Sequence, residues 1–145
     1  MLRSLALLFI LLAPNAALAA DTFRFGDNAS KWAHDGECDD RRFFGNGMSA
    51  DLITDDIAHD AADCRKLYKA GQIRFWVESS ARKATQCSRI KFGNNASKWS
   101  NDGECDDPRF EGRGSSKDLD HNDVGRDAKD CRAMCRSGMV FLRNY

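Results

Sequence analysis

At 145 residues with 22 Lys+Arg against 22 Asp+Glu, the chain is small and formally neutral, which argues against a nucleic-acid-binding protein. Six cysteines in so short a chain make the redox compartment the first question, because they read as disulfides outside the cytosol and as metal or redox ligands inside it.

The first residues answer it. Met1-Leu2-Arg3 gives a short positive start, Leu5 to Leu12 is an unbroken apolar run, and Ala17-Leu18-Ala19 is a small-x-small cleavage site. This predicts a secretory signal peptide over residues 1–19, since the run is shorter than the roughly 20 residues that span hydrocarbon. Without Arg3 the chain keeps 21 Lys+Arg (22 less Arg3) and has no second segment able to cross a membrane. A soluble periplasmic or secreted protein is expected, with its cysteines paired.

Residues 25–75 and 92–142 then align without a gap at an offset of 67, with 27 identities in 51 positions. That is an internal duplication. It divides the chain into repeat unit 1 (20–77), a polar linker without period (78–87) and repeat unit 2 (88–145). Within each unit Phe23-Arg24-Phe25 or Ile90-Lys91-Phe92 alternates as a strand, and Gly-Asp-Asn or Gly-Asn-Asn stops it. An acidic loop follows, and then a glycine-rich stretch holding Gly45/Gly47 or Gly112/Gly114, predicted irregular.

Asp60-Ala61-Ala62-Asp63 and Asp127-Ala128-Lys129-Asp130 predict a helix start with a capping-box-like pair of acids. Ala61, Cys64 and Leu67/Tyr68, like Ala128, Cys131 and Met134/Cys135, recur at helical spacing. Gly71 and Gly138 predict the helix end, and Ile73–Val77 and Met139–Leu142 a closing strand. The expected fold is a small, disulfide-rich α+β protein of two tandem homologous units, each strand, acidic loop, helix, strand.

Such a unit buries little apolar surface and needs a staple. Symmetry pairs Cys38 with Cys64 and Cys105 with Cys131, each bridge contributing roughly 3 to 4 kcal/mol in the chain-entropy account. Cys87 and Cys135 have no counterparts, since Ala20 and Tyr68 stand at those offsets, and are left for each other.

Eight acids recur in place: Asp35, Glu37, Asp39, Asp40, Asp51, Asp56, Asp60 and Asp63, with Asp102, Glu104, Asp106, Asp107, Asp118, Asp123, Asp127 and Asp130. Oxygen ligands around a glycine suit a hard cation such as calcium, and Asp35, Glu37, Asp39, Asp40, Asp102, Glu104, Asp106 and Asp107 are the candidate ligands. The competing reading makes Asp60/Asp63 helix caps, Asp39/Asp40 turn formers, and Arg42/Arg109 and Arg65/Arg132 their ion-pair partners. The EF-hand pattern fails, because Asp123 stands where glycine is needed and Lys129 where the bidentate Glu belongs.

His34, His59 and His121 face Asn101, Arg126 and Thr54 at the same offset, so no histidine is shared, which argues against zinc and against a catalytic triad. The enzymatic alternative is a small hydrolase using carboxylates around Asp35/Glu37 and Asp102/Glu104. Trp32 and Trp99 are expected to pack in the core against the bridges, with sugar stacking as the sharper alternative. Arg65, Lys66, Lys69, Arg74, Arg82 and Lys83 read as a solvated basic face.

The string W-x-x-D-G-E-C-D-D-x-R-F, followed by D-x-x-D-C-R, resembles a short repeat of exported bacterial proteins, notably of alphaproteobacteria. There it occurs alone, in tandem, or beside trypsin-like or caspase-like peptidase domains. The resemblance implies an accessory module and carries no characterised activity. A non-enzymatic binding module, with calcium as the candidate cofactor of its acidic loops and a protein or envelope polymer as partner, is the function expected.

Overall fold

The computed structural model describes residues 25–145. The expected signal peptide, and Phe23 and Arg24 of the first expected strand, lie outside the described residues. In chain order the elements are β1 (Phe43–Gly45), β2 (Leu52–Ile53), α1 (Ala61–Lys69), β3 (Ile73–Phe75), α2 (Glu78–Ala84), β4 (Phe110–Gly112), β5 (Asp118–Leu119), α3 (Ala128–Arg136) and β6 (Val140–Leu142). The fold is α+β and disulfide-rich.

Within each half, one short strand before the helix pairs antiparallel with the strand after it, β1 with β3 and β4 with β6. The glycine-rich stretch is therefore partly ladder. A Cβ on Gly45 would stand 2.2 Å from the Gln72 carbonyl oxygen, and one on Gly112 2.3 Å from that of Met139. Only glycine lets these backbones approach.

No opening strand forms at Phe25 or over 90–92. The Phe25 ring instead stacks on Phe43 at 5.6 Å and the Phe92 ring on Phe110 at 5.5 Å, each covered on another side by the guanidinium of Arg65 or Arg132. The alternation in sequence marks which rings are buried; the turn that follows at once leaves too few residues for a ladder. Arg65 and Arg132 thus shield aromatic rings, where ion pairing with the acids was the alternative.

Each half has its own core around a bridge. Cys38, Phe43, Cys64, Leu67 and Ile73 pack together in one, and Phe92, Cys105, Phe110, Cys131, Cys135 and Val140 in the other. The bonds are Cys38–Cys64, Cys105–Cys131 and Cys87–Cys135. The first two join the acidic loop to α1 or α3, and the third ties residues 87–89 to the end of α3.

Both helices end alike. The Gln72 N–H reaches the Leu67 carbonyl and Gly71 that of Tyr68, matched by Met139 to Met134 and Gly138 to Cys135. This pattern closes a helix with a left-handed glycine, here at φ 71° and 72°.

The stretch expected to be a structureless linker contains α2. Its Ala81 is fully buried, Arg82 pairs with Glu78 one turn back and lies 4.3 Å over the Phe141 ring, and Thr85 Oγ1 accepts the Leu142 N–H. One small residue per turn suffices to seat a helix against β6, so no apolar period shows in the sequence.

The halves meet across an approximate two-fold axis. Strands β2 and β5 pair antiparallel with Leu52 opposite Leu119, and these two are equivalent at the 67-residue offset. Beside them the buried Arg41 and Arg143 share one carboxylate, Glu111, in unit 2. Arg41 also donates to the Ser116 and Lys117 carbonyls, and Arg143 to those of Arg41 and Phe43. Burial pulls the Arg143 guanidinium down to about 10, so it stays charged at neutral pH and needs its partner. Glu111→Gln leaves two guanidiniums buried against no anion and is expected to cost about 3 to 5 kcal/mol in equilibrium urea unfolding. A loss under about 1 kcal/mol, the level of an exposed pair, would show that the seam does not rest on this residue.

Candidate cation site in the acidic loops

The loop that carries the acids is irregular because it turns twice in the left-handed region, at His34 and Gly36 in unit 1 and at Asn101 and Gly103 in unit 2. Such backbone presents its amides inward. Asp35 Oδ1 accepts the Glu37 N–H and Asp102 Oδ1 the Glu104 N–H, both at 3.0 Å. The rest of the loop is held from the helix. Asp60 Oδ2 accepts the Asp39 N–H and Asp127 Oδ2 that of Asp106, both at 2.9 Å. Asp63 Oδ2 accepts from Gly36, and Asp130 Oδ2 from Asn101 and Gly103.

Asp60 and Asp127 occupy the N-cap positions, yet neither makes a side-chain cap. The capping-box expectation is corrected here. The first helical amides are taken by the preceding turn: Asn28 Oδ1 accepts from Ala62 and Asn95 Oδ1 from Lys129, while the Asp27 and Asn94 carbonyls accept from Ala61 and Ala128. Relieved of capping, the helix acids reach across to the loop.

Of the eight candidate ligands, Asp40 and Asp107 are excluded from the cluster. Each is buried, ion-pairs with the arginine two residues on (Arg42 or Arg109), and accepts the N–H of Ala58 or Gly125. Fully partnered, they have no oxygen to offer a ligand. Asp35, Glu37 and Asp39 line one cavity of about 210 Å³ beside Trp32 together with Asp51 and Asp56, without three of their oxygens coming within 4.8 Å of one another. In unit 2 the charges of Asp102 and Asp123 act on the buried Asp106, and Glu104, like Glu37, is an exposed side chain. Asp51, Asp56 and Asp123 were among the recurring acids, but their distance in sequence from D-G-E-C-D-D hid their place in the cluster.

Asp39 and Asp106 dominate the electrostatics. They are 4% and 3% exposed, and the Oδ2 atom of each is buried without a hydrogen-bond partner. Burial pushes the Asp39 carboxyl up to about 6, with the charges of Asp35, Asp56 and Glu37 adding to it against a hydrogen bond from Ser49. Asp106 rises to about 6 in the same way, through burial first and then Asp102, Asp127 and Asp123. Burial also lifts Asp60 and Asp127 to about 6, and the Oδ1 atom of each is unpartnered. An orphaned buried oxygen is costly unless a proton or a cation meets it.

Among the described residues, three groups bring three potential ligand atoms within 4.8 Å of one another. Two consist of a disulfide and its neighbouring acid, Asp60 or Asp127, and oxidised sulfur is no metal ligand. The third is Asp51, Asp120 and His121, exposed on the seam. Asp51 Oδ1 there accepts from both the backbone N–H and the ring Nδ1 of His121 at 2.8 Å. This contact raises the imidazole pKa and lowers that of Asp51. No histidine shared between the two copies marks this pair, because the ring comes from one unit and the carboxylate from the other.

The tryptophans are not core residues. Trp32 is 46% and Trp99 50% exposed, and Lys31 and Lys98 place their ammonium groups 4.6 Å from the ring centroids.

No helix among the described residues is long and apolar enough to cross a membrane. Comparison of the chain with known protein families, with curated proteins and with solved structures found no match in any of the three.

The raised carboxyls set a pH dependence of definite sign. Asp39, Asp60, Asp106 and Asp127 hold protons more tightly folded than unfolded, so their protonation stabilises the fold. That contribution is complete below the ordinary carboxyl value and is lost as pH rises through about 6. In EDTA the melting temperature should therefore be higher near about pH 4.5 than near about pH 7.5, and Asp39→Asn with Asp106→Asn should flatten the slope. A melting temperature that climbs over this range would contradict the assignment.

Proposed function

We propose that the chain is a non-enzymatic binding module, exported to the periplasm or the exterior, whose two acidic loops each hold a calcium ion and present a surface to a partner. The observation that carries this is the buried, unpartnered Oδ2 of Asp39 and of Asp106, each set among further carboxylates at equivalent places in the two units. A hard cation with six to eight oxygen ligands meets both needs at once, satisfying the orphaned atom and relieving the repulsion. Asp35 and Asp56 line the same cavity as Asp39 and would supply further oxygens to the ion. Three disulfides and the W-x-x-D-G-E-C-D-D-x-R-F resemblance to exported repeats support the location.

A hydrolase finds less support. The acidic cavity, at about 210 Å³, is below the roughly 300–1,000 Å³ of ordinary small-molecule sites. A larger groove of about 640 Å³ runs along the seam past Phe44, Arg74, Arg109 and Arg143, but no carboxylate, histidine or cysteine lines it. It offers no proton-transferring pair.

Calorimetric titration of EDTA-treated protein at neutral pH should show two calcium ions per chain. At a hundredfold excess over Kd, each should add about 2.7 kcal/mol to stability. Asp39→Asn with Asp106→Asn should abolish the heat while the circular dichroism spectrum stays native. Since calcium needs the ionised carboxylates, its stabilising effect should fade as pH drops below about 6. Absence of both heat and stabilisation at neutral pH would refute the calcium site.

A further inference from the structure

We propose that each acidic loop, together with its tryptophan, is a docking point for a lysine or arginine side chain of a protein partner. This deepens the reading above, since it uses the same carboxylates, and names the chemistry of the partner.

Exposure of the indole is the first observation. Trp32 and Trp99 carry the largest side chains in their loops and are 46% and 50% exposed, at equivalent positions of both units. Each acidic loop therefore presents a half-exposed indole face to solvent. The second observation is that each ring already attracts an ammonium group, from Lys31 or Lys98 at 4.6 Å. A cation over an indole face gains from the ring quadrupole, and tryptophan is the best of the aromatic acceptors.

The third lies in the cavity beside Trp32. Asp35, Glu37, Asp39, Asp51 and Asp56 line it and no basic residue does. One of the five, Asp39, is 4% exposed with its Oδ2 atom unpartnered. One divalent ion would neutralise two of these five charges and leave three. The exposed Glu37 is then the group that a partner's cation meets at the rim.

Charge complementarity decides between a basic protein segment and a polysaccharide. A neutral sugar can stack on the indole, but it offers nothing to the carboxylates, whereas an ammonium or guanidinium engages both. Two such points on one chain also allow a partner bearing two basic side chains to bind with added avidity.

The test is a titration of the full chain, followed by the indole Nε1–H signals in nitrogen–proton spectra. The probes are an acetylated hexalysine amide, a hexaglutamate control and a neutral chito-oligosaccharide, each with calcium and with EDTA. Hexalysine should shift the Trp32 and Trp99 indoles saturably and leave unmoved that of Trp76, whose Nε1–H donates to the Leu142 carbonyl. Trp32→Ala with Trp99→Ala should weaken hexalysine binding at least about tenfold without changing the melting temperature appreciably, as expected for half-exposed rings, and Phe at both positions should restore part of it. Unmoved indoles, hexalysine binding unchanged in the alanine variant, or a shift caused by the oligosaccharide alone would each overturn the proposal. Calorimetry with calcium on the same samples separates the two readings: calcium heat without a peptide shift removes only this one, and a peptide shift without calcium heat removes only the ion.

Discussion

Each half of this protein depends on a helix that reaches back to hold an irregular loop. The hold has two parts, a sulfur bridge from the second turn of the helix and two carboxylates three residues apart, Asp60 with Asp63 or Asp127 with Asp130, accepting loop amides. A loop with two left-handed residues has no ladder of its own, so its buried N–H groups need such outside partners. Because these acceptors are carboxylates, placing the loop also concentrates negative charge under it. Structural support and the acidic character of the site are one arrangement.

That arrangement leaves charge unresolved. Where an acid meets an arginine and amides, as at Asp40 and Asp107, the fold is simply locked. Where it is buried among its own kind, as at Asp39 and Asp106, proton affinity rises and a lone pair goes unmet. The same residue type thus plays two roles a single position apart, separated by which side of the Asp39-Asp40 or Asp106-Asp107 peptide faces the arginine.

The pairing of the two halves supplies a second tier of organisation. Antiparallel pairing of Leu52 with its own counterpart Leu119 sets the units face to face, yet the residues around the axis have diverged. Glu111 replaces the equivalent Phe44 and serves two arginines, while His121 replaces Thr54 and engages Asp51 of the other unit. The two acidic clusters are consequently unlike at their rims: Asp51 is held by an imidazole from across the seam, and a threonine stands where its counterpart Asp118 would meet one.

Much of this is written in the chain itself. The 67-residue offset, the helix termini at Gly71 and Gly138, the closing strands and the partners of all six cysteines follow from pattern and symmetry, because they are local or fixed by elimination. Other features depend on groups far apart in sequence. Whether Asp60 caps its helix or braces the loop turns on Asn28 having taken the amide first. Whether Asp40 or Asp56 joins the cluster turns on where Arg42 lies. The helix over 78–84 exists because Ala81 finds β6, and both indoles stay half in solvent outside the two cores. Composition and spacing determine which residues are available and which local turns they favour; competition for a limited set of hydrogen-bond partners, settled only when the chain closes on itself, decides which of them end up with a free oxygen.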